Sequence, residues 1–527
     1  MKARWLCALA LLAALAACQQ SQPPPATRVT HPNAPPGIAW FDGSVEQAFD
    51  AAKRERRPVL LYWGAQWCPF CHTLKSKVFS RPDFTAKTAL FVPVYLDGDD
   101  AGAQKWAEQF GIQGYPTLIV LDAEQHELLR LGAGRDVSQY AAVLDLALAD
   151  LQPVEGLLQA AASGTALDSN ECRRLAYNEW QLDTLSEADY ATRAERLQAA
   201  VAQCPADAKT ERARLSIDAA YYAANAQSAA LAAPKGAPSA QLSALIDQVQ
   251  GILMEPELAL ESAEALQNLD ESFFKAVRVR GGKLAPALRD DYVAAMNAAA
   301  NDSHFVAADQ LGFIDAKLRA LLALGTPPNK LPPADVEDAK QRIDAALAAE
   351  QSPYVRAGLV NASLDILEDV GDLPKAYTIA QAEIGRSETP YYFQADLAEI
   401  AEKLGHKDEA ISLLEQAYRG SRGAATRFQW GQLYVSGLLR MAPNDVMRIE
   451  DTGAQVLGEL DGPDRIYRRA RARLEKLDRE LRAWDDAAKG QHQQVLHDLR
   501  ARMQQICVKI PDKEAARASC DAFLKSA

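Results

Sequence analysis

Apolar and polar positions follow two regimes along this chain. Between residues 38 and 151, short apolar runs are separated by amphipathic stretches. Pro58 to Ala65 and Ala89 to Leu96 (ALFVPVYL) are apolar runs of strand length, and the β-branched run Thr117 to Leu121 is followed by a hairpin partner at Glu127 to Leu131. Val45 to Arg56, Cys68 to Ser80, Ala101 to Phe110 and Asp136 to Asp150 read as helices, the last capped by Asp136. This order predicts a mixed sheet covered by helices.

From about residue 152 strand signals nearly vanish and Ala, Leu, Glu and Gln dominate. Leu215, Ala219 and Tyr222, like Val336, Ala339, Ile343, Ala346 and Leu347, form the apolar stripe of helices that pack on helices. Breaks fall at Ala233 to Ser239 and at Gly325 to Pro333. Gly371 to Ala376 aligns with Gly405 to Ala410 at an offset of 34 residues, and LAEIAEKLGHKDEAISLLEQAY resembles a tetratricopeptide repeat. The resemblance implies a turn at Gly405, close packing at Ala410, Leu414 and Ala417, and an α-solenoid over roughly 350–460 with a concave face for a protein partner. A purely structural helical bundle is the alternative.

Met1 to Cys18 carries Lys2 and Arg4, then an apolar run of 13 residues from Trp5 to Ala17. The run is shorter than the roughly 20 residues a helix needs to span a bilayer and suits the core of an export signal. Leu15-Ala16-Ala17-Cys18 resembles the lipobox of bacterial lipoproteins. The resemblance implies cleavage before Cys18, lipidation of Cys18 and, with Gln19 next, sorting to the outer membrane, facing the periplasm. An ordinary cleaved signal with an incidental cysteine is the alternative. Gln19 to Gly37, with Pro23-Pro24-Pro25 and Pro35-Pro36, reads as an extended tether of about 50–60 Å.

At 527 residues the chain exceeds the roughly 250–300 at which a single core stops growing, so several domains are expected. Its 48% hydrophobic residues suffice to fill their cores. A formal net charge of -13 repels phosphate backbones and no basic patch offsets it, so no nucleic-acid partner is expected. The most basic stretch, Arg465 to Arg482, interleaves its arginines with Leu, Tyr and acidic residues and reads as a solvated helix face rather than an anion site.

Chemistry concentrates at Trp67-Cys68-Pro69-Phe70-Cys71, where an apolar run gives way to a helix. At a helix N-terminus Cys68 meets unpaired N–H groups and the helix dipole, which favour the thiolate, the attacking species. Cys71 lies one turn inward, near enough to attack a mixed disulfide formed on Cys68. Pro69 falls in the first turn, where a missing N–H costs little. This predicts an exposed nucleophile and a sheltered resolving thiol. Three other readings stay open: half of a zinc site, though no second CxxC or CxxH follows; a structural disulfide; and a decayed site in a binding module. No metal and no cofactor is expected.

PVLLYWGAQWCPFC followed by GIQGYPTLIVLD resembles the thioredoxin superfamily, and VFSRPDF then FVPVYLD is similar to periplasmic thioredoxin-like domains of the DsbD C-terminal kind. The resemblance implies Cys68 as nucleophile and Cys71 as resolving thiol, the two closing into a redox-active disulfide. It also implies Trp67 as an aromatic shield, Pro116 as a cis-proline facing the disulfide, and Tyr115 offering its backbone to an extended substrate. Thioredoxins place a buried Asp six residues before the nucleophile; here that position is Tyr62, a poor base at neutral pH. Proton transfer then falls to water or to an Asp or Glu elsewhere. Pro69-Phe70 lacks the histidine of strongly oxidising relatives, which favours a reductase or exchange protein, while His72 reads as a helix-surface residue.

Cys172, Cys204, Cys507 and Cys520 fall in the helical region of a chain read as exported. Pairing of Cys172 with Cys204 and of Cys507 with Cys520 is the simplest of three connectivities, with free thiols or exchange with Cys68 as alternatives. The expected architecture is multidomain: 1–17 a signal peptide, 18–37 a Pro-rich tether, 38–151 an α/β thioredoxin-like domain, 152–325 a helical region and 335–527 a helical, tetratricopeptide-like region. The expected function is an envelope thiol–disulfide oxidoreductase acting on protein disulfides and served by a membrane or periplasmic electron donor. A lipid anchor would hold it to the membrane, and its helical body would bind a client or partner. A scaffold or assembly lipoprotein, in which the thioredoxin fold is a peptide-binding module, is the alternative.

Overall fold

The computed structural model describes residues 33–132, 139–149, 151–182, 185–232, 236–350, 352–462, 465–511 and 515–525. The signal segment, Cys18, most of the tether and Asp136 lie outside them. Helix α1 (Val45–Glu55) starts at Ser44, whose side chain accepts from the Gln47 N–H while the Gln47 side chain accepts from the Ser44 N–H, a reciprocal capping box. Strand β1 (Val59–Gly64) leads into helix α2 (Pro69–Leu74), a π-helical turn (Lys75–Phe79) and helix α3 (Pro82–Thr88). Strand β2 (Val92–Asp97), helix α4 (Ala101–Gln109), strands β3 (Thr117–Leu121) and β4 (Glu127–Leu131), and helix α5 (Gln139–Ala149) complete the unit.

The strands lie in the order β2-β1-β3-β4, with β1 and β2 parallel and the other neighbours antiparallel. This is the mixed, helix-covered sheet that the pattern predicts. Both central strands, β1 and β3, are buried along their whole length, which is why they read as unbroken apolar runs. Val59, Leu61 and Trp63 face Ala48, Phe49 and Trp106 on one side of the sheet. Leu60, Tyr62 and Tyr95 point to the other side, toward Phe79 and Phe84.

Among the described residues beyond Ala149 every regular element is helical. Gly371 and Gly405, the two positions related by the offset of 34, both take positive φ (77° and 86°) at turns between helices, a backbone shape that a Cβ would strain. Ala376 and Ala410, five residues further on, are both fully buried. Apolar packing runs unbroken from the second face of the sheet through these helices to Phe523 and Leu524. It also crosses the Gly325–Pro333 break, because helix Ala307–Ala323 packs on both Pro333–Ala349 and Pro353–Asp369. No helix among the described residues is long and apolar enough to cross a membrane.

Cys172 is bonded to Cys204, tying helix Ser169–Ala176 to the end of Glu187–Gln203, and Cys507 is bonded to Cys520. The first bridge closes a sequence separation of 32 residues. Replacing Cys172 and Cys204 together by Ser should destabilise the fold by roughly 2–4 kcal/mol, read as a lower Tm in thermal circular dichroism.

Candidate functional site

The site forms where β1 runs out at Gly64 and the chain turns into α2. Cys68 is the N-cap of that helix: its backbone is extended (φ -83°, ψ 111°), Pro69 follows in the first turn, and its Sγ accepts the Cys71 backbone N–H at 3.1 Å. The two cysteines are joined as a disulfide. The Tyr115–Pro116 peptide bond is cis and leads directly into β3, whose Thr117 pairs with Trp63 of β1. This register brings the Tyr115 carbonyl oxygen to 3.4 Å from the Cys68 Sγ. The Tyr115 ring lies so close to Gly98 that a Cβ there would sit 2.4 Å from it, and its hydroxyl receives the Gln104 amide at 2.9 Å.

The exposed nucleophile expected from the sequence is not found. Cys68 is 2% exposed and Cys71 4%, because the chain's own helical body covers them. Trp67 stacks on Tyr392 (6.2 Å, 21°), meets Trp430 edge-on and donates its indole N–H to Thr426 at 3.0 Å. Thr426 also donates to Asp99, in the loop after β2. Helix Pro353–Asp369 lies on α2 at Gly358, where a Cβ would come within 2.9 Å of the Thr73 hydroxyl. Of the motif, Phe70 is the large apolar side chain left exposed. Further out, Glu108 of α4 holds Arg471 through both carboxylate oxygens, at 2.8 and 3.0 Å.

On the Cys71 side a cavity of about 180 Å³ is lined by Cys71, Tyr62, His72, Lys75, Tyr95 and Glu388, among others. Tyr62, in the place of the missing Asp, has its phenol pushed further up by burial, so it is no base. His72, read as a helix-surface residue, is partly withdrawn from solvent. It is half-buried, 2.6 Å from the Gln66 carbonyl oxygen, and burial lowers its pKa. Burial also lowers Lys75, whose ammonium donates to the Asn33 carbonyl. The carboxylates absent from β1 stand at the end of β2. Asp97 is buried and accepts from Asn33 at 2.8 Å, and Asp99 is lifted to about 7 by burial first and by the charge of Asp97 second. The run YLDGDD at a strand end was the available signal for them. Nothing local marked Thr426, which is 359 residues from its partner Trp67. The basic stretch read as a solvated face instead sends Arg469 over the Tyr115 ring, 4.7 Å from its centroid. No group of three or more His, Cys, Asp or Glu among the described residues could hold a metal ion.

A redox-type CxxC at the head of a helix, opposite a cis-proline on a four-stranded mixed sheet, defines a thioredoxin-like domain. Residues 45–148 match the family described as the thioredoxin-like domain. Over 114 residues, 20% of this chain, the protein is 25% identical to the disulfide bond reductase DsbH of Chlamydia pneumoniae, spanning 68% of that relative. Over 85 residues, 16% of this chain, it is 31% identical to the thiol:disulfide interchange protein DsbD 2 of Pseudomonas aeruginosa, of which it spans only 14%. A solved DsbH oxidoreductase aligns with 25% of this chain and 99% of its own at 21% identity and a TM-score of 0.19. The helices beyond residue 148 lie outside the family match.

The cover over Trp67 predicts the reactivity of the disulfide. Trp430→Ala removes one aromatic contact, and reduction of Cys68–Cys71 by a water-soluble phosphine should accelerate between about threefold and tenfold, read by thiol trapping. Asp99 faces Asp97, Asp100 and Arg469 and holds its proton in the closed site, up to about 7 against an ordinary 3.8. A raised carboxyl pKa means that closure is fully supported below about 4, weakens as pH rises and loses nothing more above about 7. Phosphine reduction, taken relative to Asp99→Asn, should climb from about pH 4 to 7 and then level off.

Proposed function

We propose that this protein is a thiol–disulfide oxidoreductase of the bacterial cell envelope, acting as a reductase or exchange protein on protein disulfides. The observation that carries the reading is the Cys68–Cys71 pair at a helix start, held against the Tyr115 carbonyl and the cis Pro116. The two relatives, a disulfide bond reductase and a thiol:disulfide interchange protein, support the same chemistry. Cys68 is the nucleophile, Cys71 the resolving thiol, Trp67 the shield, and Tyr115 with Pro116 the edge that receives an extended client strand. Cys18 carries the lipid that holds the protein to the outer membrane, facing the periplasm. The helical body, a tetratricopeptide-type array over roughly 350–460, gates the redox site and admits the client.

In the reduced protein the Cys68 thiolate attacks one sulfur of a client disulfide. A bond forms to Cys68 and the other client sulfur leaves as a thiolate. Cys71 then gives up its proton and attacks the Cys68 sulfur, so the second client thiolate leaves. Two electrons have passed to the client and Cys68–Cys71 is oxidised. A donor dithiol in the membrane or periplasm restores the pair by the same two displacements and is itself oxidised. His72, held below its ordinary pKa by burial, lines the cavity beside Cys71 and takes its proton in this scheme, while the Lys75 ammonium in the same cavity stabilises the thiolate that forms.

A second reading is favoured by one observation, the burial of both cysteines under the body: a scaffold lipoprotein whose thioredoxin fold serves as a peptide-binding module. Insulin reduction by the full chain, with dithiothreitol as donor, separates the two. The enzyme reading expects turnover that falls to background in Cys68→Ser, and absent turnover or an undiminished variant sinks it. In cells, Cys71→Ala should accumulate mixed disulfides that dithiothreitol releases. Lys75→Met should slow client release from the mixed disulfide by about tenfold while leaving the first attack near its original rate.

A further inference from the structure

Arg469 and Arg473, one turn apart at the start of helix Arg468–Ala487, and Arg465, three residues before that helix begins, all line one chamber of about 190 Å³ between sheet domain and helical body. Trp67 and Tyr115, which flank Cys68, form its opposite wall. On the same helix Arg471 pairs with Glu108 and Arg482 with Asp478. The three chamber arginines have no carboxylate within salt-bridge distance among the described residues. Arg469 rests on the Tyr115 ring, and Arg473 donates to the neutral amide of Gln432 at 3.2 Å. Burial, then repulsion from Arg469, brings Arg473 down to about 10. The acidic groups of the chamber are Asp99 and Asp100; Asp99 is already engaged by Thr426 and Trp67 and is half protonated near neutrality. Converging guanidiniums in a partly desolvated site are costly unless an anion joins them.

The chamber is smaller than the roughly 300–1,000 Å³ of a site for a drug-sized ligand, so it takes a fragment, on the order of one or two side chains. It does not end there. Arg465 and Tyr467 also line a second cavity of about 630 Å³, walled by Ile466, Ile506 and Ile510 with Lys105 and Lys509 at its rim. The two cavities trace a path from the residues beside the disulfide, past three arginines, to an apolar groove. An extended chain advances about 3.3 Å per residue, so a side chain two residues from a cysteine at Cys68 lies within reach of the chamber.

We propose that this path is a client-recognition subsite for an extended acidic segment: a peptide with carboxylates close to its reactive cysteine and apolar residues beyond them. The arginines receive the carboxylates in fork geometry and the isoleucine groove takes the apolar residues. The inference rests on the exchange reading above for its purpose, but binding itself needs no redox chemistry. The stretch Arg465–Arg482 is then an anion site at its start and a solvated, paired face further along.

The test uses the full-length oxidised protein and the synthetic peptide acetyl-Leu-Leu-Glu-Glu-Ser-Gly-amide, with serine in place of cysteine, against its Lys-Lys counterpart. By calorimetry at low salt the glutamate peptide should bind at least about tenfold tighter, and the difference should shrink as ionic strength rises. Arg469→Gln with Arg473→Gln should erase the difference, Arg465→Gln should reduce it, and Arg479→Gln, an exposed position on the same helix, should leave it intact. Equal affinities in the unsubstituted protein overturn the proposal, as does a preference that survives the double substitution. If the double variant does not fold, Arg465→Gln and the salt titration decide. Cysteine versions of both peptides, offered as mixed disulfides with mercaptoethanol to the reduced protein, test the exchange reading separately. Binding preference without exchange would refute that reading and leave the subsite standing.

Discussion

The indole of Trp67 is where the two halves of this molecule are joined. It sits on Tyr392 and against Trp430, it donates to Thr426, and Thr426 in turn holds Asp99 beside the disulfide. Burial of Cys68, the placement of Arg469 over Tyr115 and the raised pKa of Asp99 all depend on that one junction, because each is a consequence of excluding water from the same face. In an isolated thioredoxin-like unit this face would be open. Here it is an internal surface, and the apolar core that begins on the sheet continues through it into the helices.

Backbone contact makes the closure tight. Gly358 lets helix Pro353–Asp369 approach α2, and Gly423, at φ 81°, brings its turn against Asp99 so closely that a Cβ would lie 2.6 Å from the Asp99 side chain. Two glycines at opposite ends of the cover therefore set how near the helical body can come to the redox centre. Polar groups trapped between the halves are mostly engaged with one another, as buried donors and acceptors must be. The chamber arginines differ in having only neutral partners, the Tyr115 ring for Arg469 and the Gln432 amide for Arg473, which is why the chamber reads as a place prepared for an anion.

The cysteine pair shows how a local motif and a distant partner divide the chemistry. Its geometry is local: β1 ends, Cys68 caps the helix, Pro69 occupies the first turn, and the Cys71 N–H reaches the sulfur. Its accessibility is set from more than 280 residues away in the chain, by residues such as Gly358 and Thr426. The same division holds for acid–base groups. Tyr62 announced that the usual carboxylate was missing from β1, but only the parallel pairing of β1 with β2, which aligns Gly64 with Asp97, brought a carboxylate to the neighbouring strand end.

Much of the sheet domain was legible because its signals are short-range: buried strands are continuous apolar runs, the first helix carries a capping box, and a CxxC at a helix start points first to thiol–disulfide exchange. The offset of 34 residues was legible too, since Gly371 and Gly405 need positive φ and Ala376 and Ala410 need a close neighbour. What the sequence could not determine was the docking of one half on the other. Arg465, Arg469 and Arg473 have the spacing of any solvated helix face, and Trp430 and Tyr392 have the spacing of any helix core. Periodicity fixes which side of an element is apolar or charged, yet it carries no information about which surface that side will meet. Tertiary packing alone turned three arginines toward the cysteine pair and buried the Cys68 side chain that the local motif would have left in water.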